Sequence, residues 1–71
     1  MIVRYGQYSC ATETGIHLIH GGGSIVENVN FHNNKVGIRI QSNNNYLNYS
    51  YFNDYINIIY FRSAILFGIF I

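Results

Sequence analysis

The sequence predicts an all-β solenoid of about two to three coils, in which each coil buries its neighbour. Three observations lead there. The first is a repeat: Gly15-Ile16-His17-Leu18-Ile19-His20 returns 22 residues later as Gly37-Ile38-Arg39-Ile40-Gln41-Ser42, and 21 further on as Ile58-Ile59-Tyr60-Phe61-Arg62-Ser63. The second is an apolar spacing of two inside those blocks, the period of a half-buried strand. The third is composition. Asparagine and glycine, which tolerate positive φ, punctuate runs of isoleucine and tyrosine, which favour strands. The absence of proline leaves every backbone amide free to pair.

Residues 1–14 are the least regular. Ile2–Tyr5 and Gln7–Ala11 read as strands flanking Gly6 in a degenerate first coil, since terminal repeats are often atypical. The repeats proper run over residues 15–62. In the first, Ile16 and Leu18 share one face of a strand, with His17 and Ile19 on the other. His20-Gly21-Gly22-Gly23-Ser24 then forms a corner. A phosphate cradle would need a following helix and a lysine in register, and a strand-type pair, Ile25-Val26, follows instead. Asn43-Asn44-Asn45 fills the same slot one coil later, where asparagine replaces glycine at left-handed backbone positions.

Equivalent apolar residues should lie over one another about 4.8 Å apart. The expected stacks are Val26 on Leu47, Phe31 on Phe52, Ile16 on Ile38 and Ile59, and Leu18 on Ile40 and Phe61. Asn33 and Asp54 match at a corner, where they are expected to hydrogen-bond the coils above and below. A helical reading fails on the spacing and on the poor helix propensity of these residues. The tail, residues 63–71, reads as a last strand or an end-covering segment. It is too short to cross a bilayer, which takes about 20 apolar residues.

Seventy-one residues make one small domain, in which about 60% of the unfolded surface is buried. A net charge of +1, with Arg4, Lys35, Arg39 and Arg62 scattered, gives no footprint for nucleic acid. Cys10, the single cysteine, reads as a small buried residue. Met1–Arg4 has no basic segment followed by an apolar run, so no signal peptide is read at the start.

The pattern Gly-Ile-x-Leu/Ile, a polar corner, then Val/Leu and Phe-x-Asn/Asp from Gly15 to Phe61 resembles the right-handed parallel β-helix repeats of the pectin-lyase-like superfamily. Pectate lyases, polygalacturonases and phage tailspikes belong to it. The resemblance covers about two-thirds of the chain. It implies three short parallel sheets per turn, a dry stacked interior and a groove on one outer face, in a family whose members commonly act on or bind polysaccharide. It also implies an extracellular, cell-surface or periplasmic setting if the parent is secreted. With few turns, and with Ile58 where glycine stood before, the chain reads as a fragment or a decayed remnant of a longer solenoid.

Catalysis by this chain is not expected. Hydrolysis needs paired carboxylates, and the only acids, Glu13, Glu27 and Asp54, fall in different parts of different turns. No cofactor is implied. His17 and His20, three apart on a strand, face opposite ways, so they do not form a metal pair. Outward aromatics are the better signal. Tyr46, Tyr49 and Tyr51, with Arg39, form a candidate carbohydrate-binding set, since tyrosine offers an apolar face with a polar tip. Strand packing explains the same tyrosines without a ligand. Asn48-Tyr49-Ser50 matches a glycosylation acceptor, which matters only in a secreted eukaryotic chain. The expected role is thus structural or polysaccharide-binding, the rival being a piece of a polysaccharide lyase or glycoside hydrolase whose catalytic coils lie elsewhere. Expected partners are polysaccharide and adjacent β-helix coils, or further copies joined through the open ends.

Overall fold

The computed structural model describes residues 1–60 and 64–71. It contains ten strands and no helix among those residues: β1 (Ile2–Arg4), β2 (Gln7–Ser9), β3 (Thr14–Leu18), β4 (Ile25–Glu27), β5 (Asn30–His32), β6 (Val36–Ile40), β7 (Asn45–Asn48), β8 (Tyr51–Asn53), β9 (Ile56–Tyr60) and β10 (Ala64–Phe67). The chain visits three parallel sheets in rotation. Sheet 1 has the order β1-β4-β7-β10, sheet 2 β2-β5-β8 and sheet 3 β3-β6-β9. Each sheet therefore takes every third strand, and each circuit of the chain is one winding laid on the last.

Local chemistry sets the corners. Between sheets 1 and 2 every winding spends two residues, and the first is always left-handed: Tyr5 (φ 54), Asn28 (φ 54), Tyr49 (φ 50) and Gly68 (φ 65). The amides of Tyr5, Asn28 and Tyr49 each donate to a carbonyl of the next winding, at 3.3, 3.1 and 2.7 Å, so the strained corner stays in the ladder. Between sheets 2 and 3, Cys10 (φ 61) and Asn33 (φ 59) do the same. Between sheets 3 and 1, Gly23 (φ 67) and Asn44 (φ 59) occupy matching places, as expected of asparagine substituting for glycine.

The interior is a set of vertical columns. Val3, Val26, Leu47 and Leu66 form one, and Tyr8, Phe31 and Phe52 another. The rings of Phe31 and Phe52 lie 4.4 Å apart and 3° from parallel, with Tyr8 5.7 Å from Phe31. Val26, Phe31, Ile38, Ile40 and Leu47 are essentially inaccessible to solvent. Each such side chain contributes roughly 1.5–3 kcal/mol.

One expectation about register is corrected. The third-winding partners of Ile38 and Ile40 are Ile58 and Tyr60, not Ile59 and Phe61; Ile59 pairs with Arg39 on the outward side, and Phe61 lies outside the described residues. The windings shorten as they progress. Stacked partners are 23 apart at Ile2/Ile25, 22 at Thr14/Val36, 21 at Ile25/Tyr46, 20 at Val36/Ile56 and 19 at Leu47/Leu66. The residues are lost at corners. The connection between sheets 2 and 3 has four residues after β2, three after β5 and two after β8. A fixed period of 21 therefore slips by one at β9.

The same shift explains the glycines. Gly15 stacks below Gly37, and the position after that is Asn57, not Ile58. A Cβ on Gly15 would lie 2.7 Å from the Gly37 carbonyl oxygen, and one on Gly37 would lie 2.6 Å from the Asn57 carbonyl oxygen. Asn57 sits in the last strand of sheet 3, where no described backbone stacks above it, so a side chain is accommodated.

Two further corrections concern corners. The side-chain hydrogen bonds to the windings above and below run through Asn34 and Asp54, while Asn33, whose side chain is exposed, contributes only its backbone amide, to the Asn53 carbonyl at 3.0 Å. Cys10 is exposed, not buried, because its left-handed corner carries the side chain out of the stack.

Candidate functional site

Buried polar residues tie the windings to one another. The Asn34 side chain accepts from the Ala11 amide at 2.9 Å and donates to the Tyr8 carbonyl at 2.9 Å and to Asp54 Oδ1 at 2.8 Å. The Asn34 amide also donates to Asp54 Oδ1, at 3.0 Å. A single amide side chain thus spans three windings. Asn45 Oδ1 accepts from the Ser24 amide at 3.1 Å, and Ser50 Oγ accepts from the Val29 amide at 3.3 Å. These residues satisfy backbone groups that burial would otherwise orphan.

The sequence-derived set Tyr46, Tyr49, Tyr51 and Arg39 is spread around the molecule. Tyr46 projects from β7 in sheet 1, Tyr49 sits at the corner between sheets 1 and 2, Tyr51 lies in β8 of sheet 2 and Arg39 in β6 of sheet 3. All three tyrosines are exposed, yet two are engaged by the last winding. Tyr49 meets Phe67 edge-on at 5.2 Å, and Tyr51 stacks with Phe70 at 5.0 Å.

Arg39 instead has polar company that the sequence reading did not give it. A cleft of about 410 Å³ on the outer side of sheet 3 is lined by Glu13, Thr14, His17, Arg39 and Gln41. The register of β3 on β6 places His17 beside Arg39. Thr14 opens β3, Glu13 just precedes it and Gln41 just follows β6, so all five residues come from two stacked windings. The His17 imidazole contacts the Gln41 side-chain amide through Nε2 and Oε1. Arg39 is half-buried and makes no ion pair among the described residues, whereas Arg4 is paired with Glu27. The cleft therefore offers a planar five-donor fork, an imidazole, an amide, a hydroxyl and a carboxylate within one opening.

The repeat carried this signal. His17 and Arg39 occupy the same slot of the Gly-Ile-x-Leu/Ile block, so the alignment that found the fold also stacks them.

The chain matches no protein-family model, no curated protein and no solved structure.

The remaining chemistry is dispersed. Glu27 is held by Arg4, Asp54 by Asn34, and Glu13 alone of the acids lines the cleft. His17 and His20 both border a second opening, of about 320 Å³, with Met1 and Gly21. Opposed strand faces do not separate these two histidines, because β3 ends at Leu18 and His20 lies in the corner beyond it. No cluster of three potential metal ligands occurs among the described residues. No described helix is long and apolar enough to cross a membrane.

Proposed function

We propose that this chain is a segment of right-handed parallel β-helix, of the pectin-lyase-like kind, with a structural role and a polysaccharide-binding cleft over sheet 3. The hand is the one that strand–crossover–parallel strand connections adopt in nearly all cases. The observation that carries the binding role is the half-buried Arg39 guanidinium, unpaired with acid among the described residues and opening into a cleft beside His17, Gln41, Thr14 and Glu13. Sugar hydroxyls donate and accept at once, and a cleft mixing a donor-only guanidinium, an acceptor-only carboxylate and two-way amide and hydroxyl groups matches that character. Of the exposed tyrosines, Tyr49 and Tyr51 pack against Phe67 and Phe70 of the last winding, and the binding role rests on Arg39.

Affinity electrophoresis through gels containing neutral, acidic and basic polysaccharides tests this reading. Retardation is expected in at least one gel. Arg39→Ala should remove it while Tyr46→Ala, on sheet 1, leaves it in place. Free migration of the unaltered protein in every gel, or retardation that survives Arg39→Ala, would overturn it.

A further inference from the structure

The interior columns are closed in the middle of the stack and open at its C-terminal end. Along the sheet 1 column, Val26 and Leu47 are 0% and 1% exposed, whereas Leu66 is 39% exposed. The sheet 3 column ends one winding lower, at β9, where Ile40 is buried and Tyr60 is exposed whatever β10 receives. The far edge of β10 carries no partner strand among the described residues, and neither does the far edge of β1 at the other end of the same sheet. Natural edge strands are commonly guarded by charge, proline or a bulge. β10 reads Ala-Ile-Leu-Phe and has none of these.

We infer that the open edge of β10 receives β1 of a second copy of this chain, head to tail and parallel. The reason for choosing this occupant is continuity with the interface that already holds the windings together. In sheet 1 the register is the same at every step: Ile2, Ile25, Tyr46 and Ile65 form the outer column, and Val3, Val26, Leu47 and Leu66 the inner one. The next step would set Ile2 of the second copy over Ile65 and its Val3 over Leu66. All four are apolar. In the inner column the two end members, Val3 and Leu66, are the ones left partly uncovered, while Val26 and Leu47 between them are closed off. Arg4, the only charge in β1, would come beside Phe67, an aromatic that tolerates a cation on its face. Such a contact is heterologous and does not close, so it generates open filaments rather than a fixed dimer.

Sedimentation and light scattering on the whole chain test this with two blocked variants. Ile65→Lys/Leu66→Lys closes the C-terminal edge, and Ile2→Lys/Val3→Lys closes the N-terminal edge. The unaltered protein is expected to rise above its monomer mass of 8.2 kDa as concentration increases. Each variant alone should stay at the monomer mass, and a mixture of the two should stop at twice that mass, because it leaves one competent edge of each kind. A far-UV strand spectrum matching the unaltered protein establishes that the variants fold. If either double variant loses it, the single changes Ile65→Lys and Ile2→Lys, at exposed outer positions, replace it. An unaltered protein that stays monomeric to its solubility limit would overturn the inference. So would association of the N-terminally blocked variant with itself, which would mean end-to-end pairing, or a mixture that remains monomeric.

Discussion

Replacing Gly37 with alanine is expected to destabilise the fold, against the usual direction of that change. Where the backbone permits it, Gly→Ala stabilises by about 0.4–1 kcal/mol by restricting the unfolded chain. The φ of Gly37 lies outside the left-handed region, so conformation raises no objection. Space does. A Cβ there would meet the Asn57 carbonyl oxygen at 2.6 Å, Asp54 Oδ2 at 2.6 Å and Phe52 Cδ2 at 2.8 Å. Asp54 Oδ2 is already buried without a hydrogen-bond partner, so a methyl group wedged against it brings no compensating bond. Overpacking of this kind costs about 1–3 kcal/mol. Three contacts under 3.0 Å, one of them to backbone, put Gly37 in the upper half of that range, about 2–3 kcal/mol, so the net loss after the unfolded-state gain is about 1–2.6 kcal/mol. In a domain of this size each kcal/mol shifts Tm by about 4–8 °C. Gly6 supplies the internal control. A Cβ there meets only Tyr8 Cε2, at an ordinary 3.6 Å, so Gly6→Ala should hold or raise stability. Urea denaturation of both variants, compared at equal m-values, gives the two signs. Gly37→Ala as stable as the unaltered protein would refute the close stacking of β6 on β9.

Phe31→Ala should cost about 3–5 kcal/mol and leave little folded protein, because the ring is gripped between Tyr8 and Phe52; thermal melts followed in the far-UV would report it. Asn34→Ala should cost about 1–3 kcal/mol for each buried group it orphans, the Ala11 amide first among them, and a loss of stability below that range in urea would argue against the three-winding bridge. Tyr5→Asn, at an exposed position with φ 54, should raise stability by up to about 1 kcal/mol, since asparagine already serves at the same corner one winding on as Asn28. Arg39→Ala should leave the denaturation midpoint nearly unchanged while abolishing polysaccharide retardation, which separates a binding role from a structural one.

The stacks Val26 on Leu47, Phe31 on Phe52 and Ile16 on Ile38 were legible because hydrophobic identity repeats at one spacing through the middle of the chain. The third winding was not legible to the residue. Ile58 and Ile59 are chemically equal, so nothing in their side chains says which one points inward; the length of the Asp54-Tyr55 corner decides it, and corner length leaves no hydrophobic trace. The shorter last winding also hid the tail. Leu66 and Gly68 continue the columns of Leu47 and Tyr49, but at a spacing of 19 rather than 21. The cleft was half legible. Arg39 entered the candidate set as a companion of tyrosines that a three-sided stack sends to other faces. Its true neighbours, His17 and Gln41, are set by strand register, and Glu13 by the turn that enters β3.

Nuclear Overhauser contacts between side chains bear most directly on the winding scheme. Strong cross-peaks are expected between the Phe31 and Phe52 rings, whose centroids lie 4.4 Å apart, and between the methyl groups of Ile38 and both Ile16 and Ile58. Absence of the ring contact, or an Ile38 contact to Ile59 in place of Ile58, would contradict the stacking described for these windings.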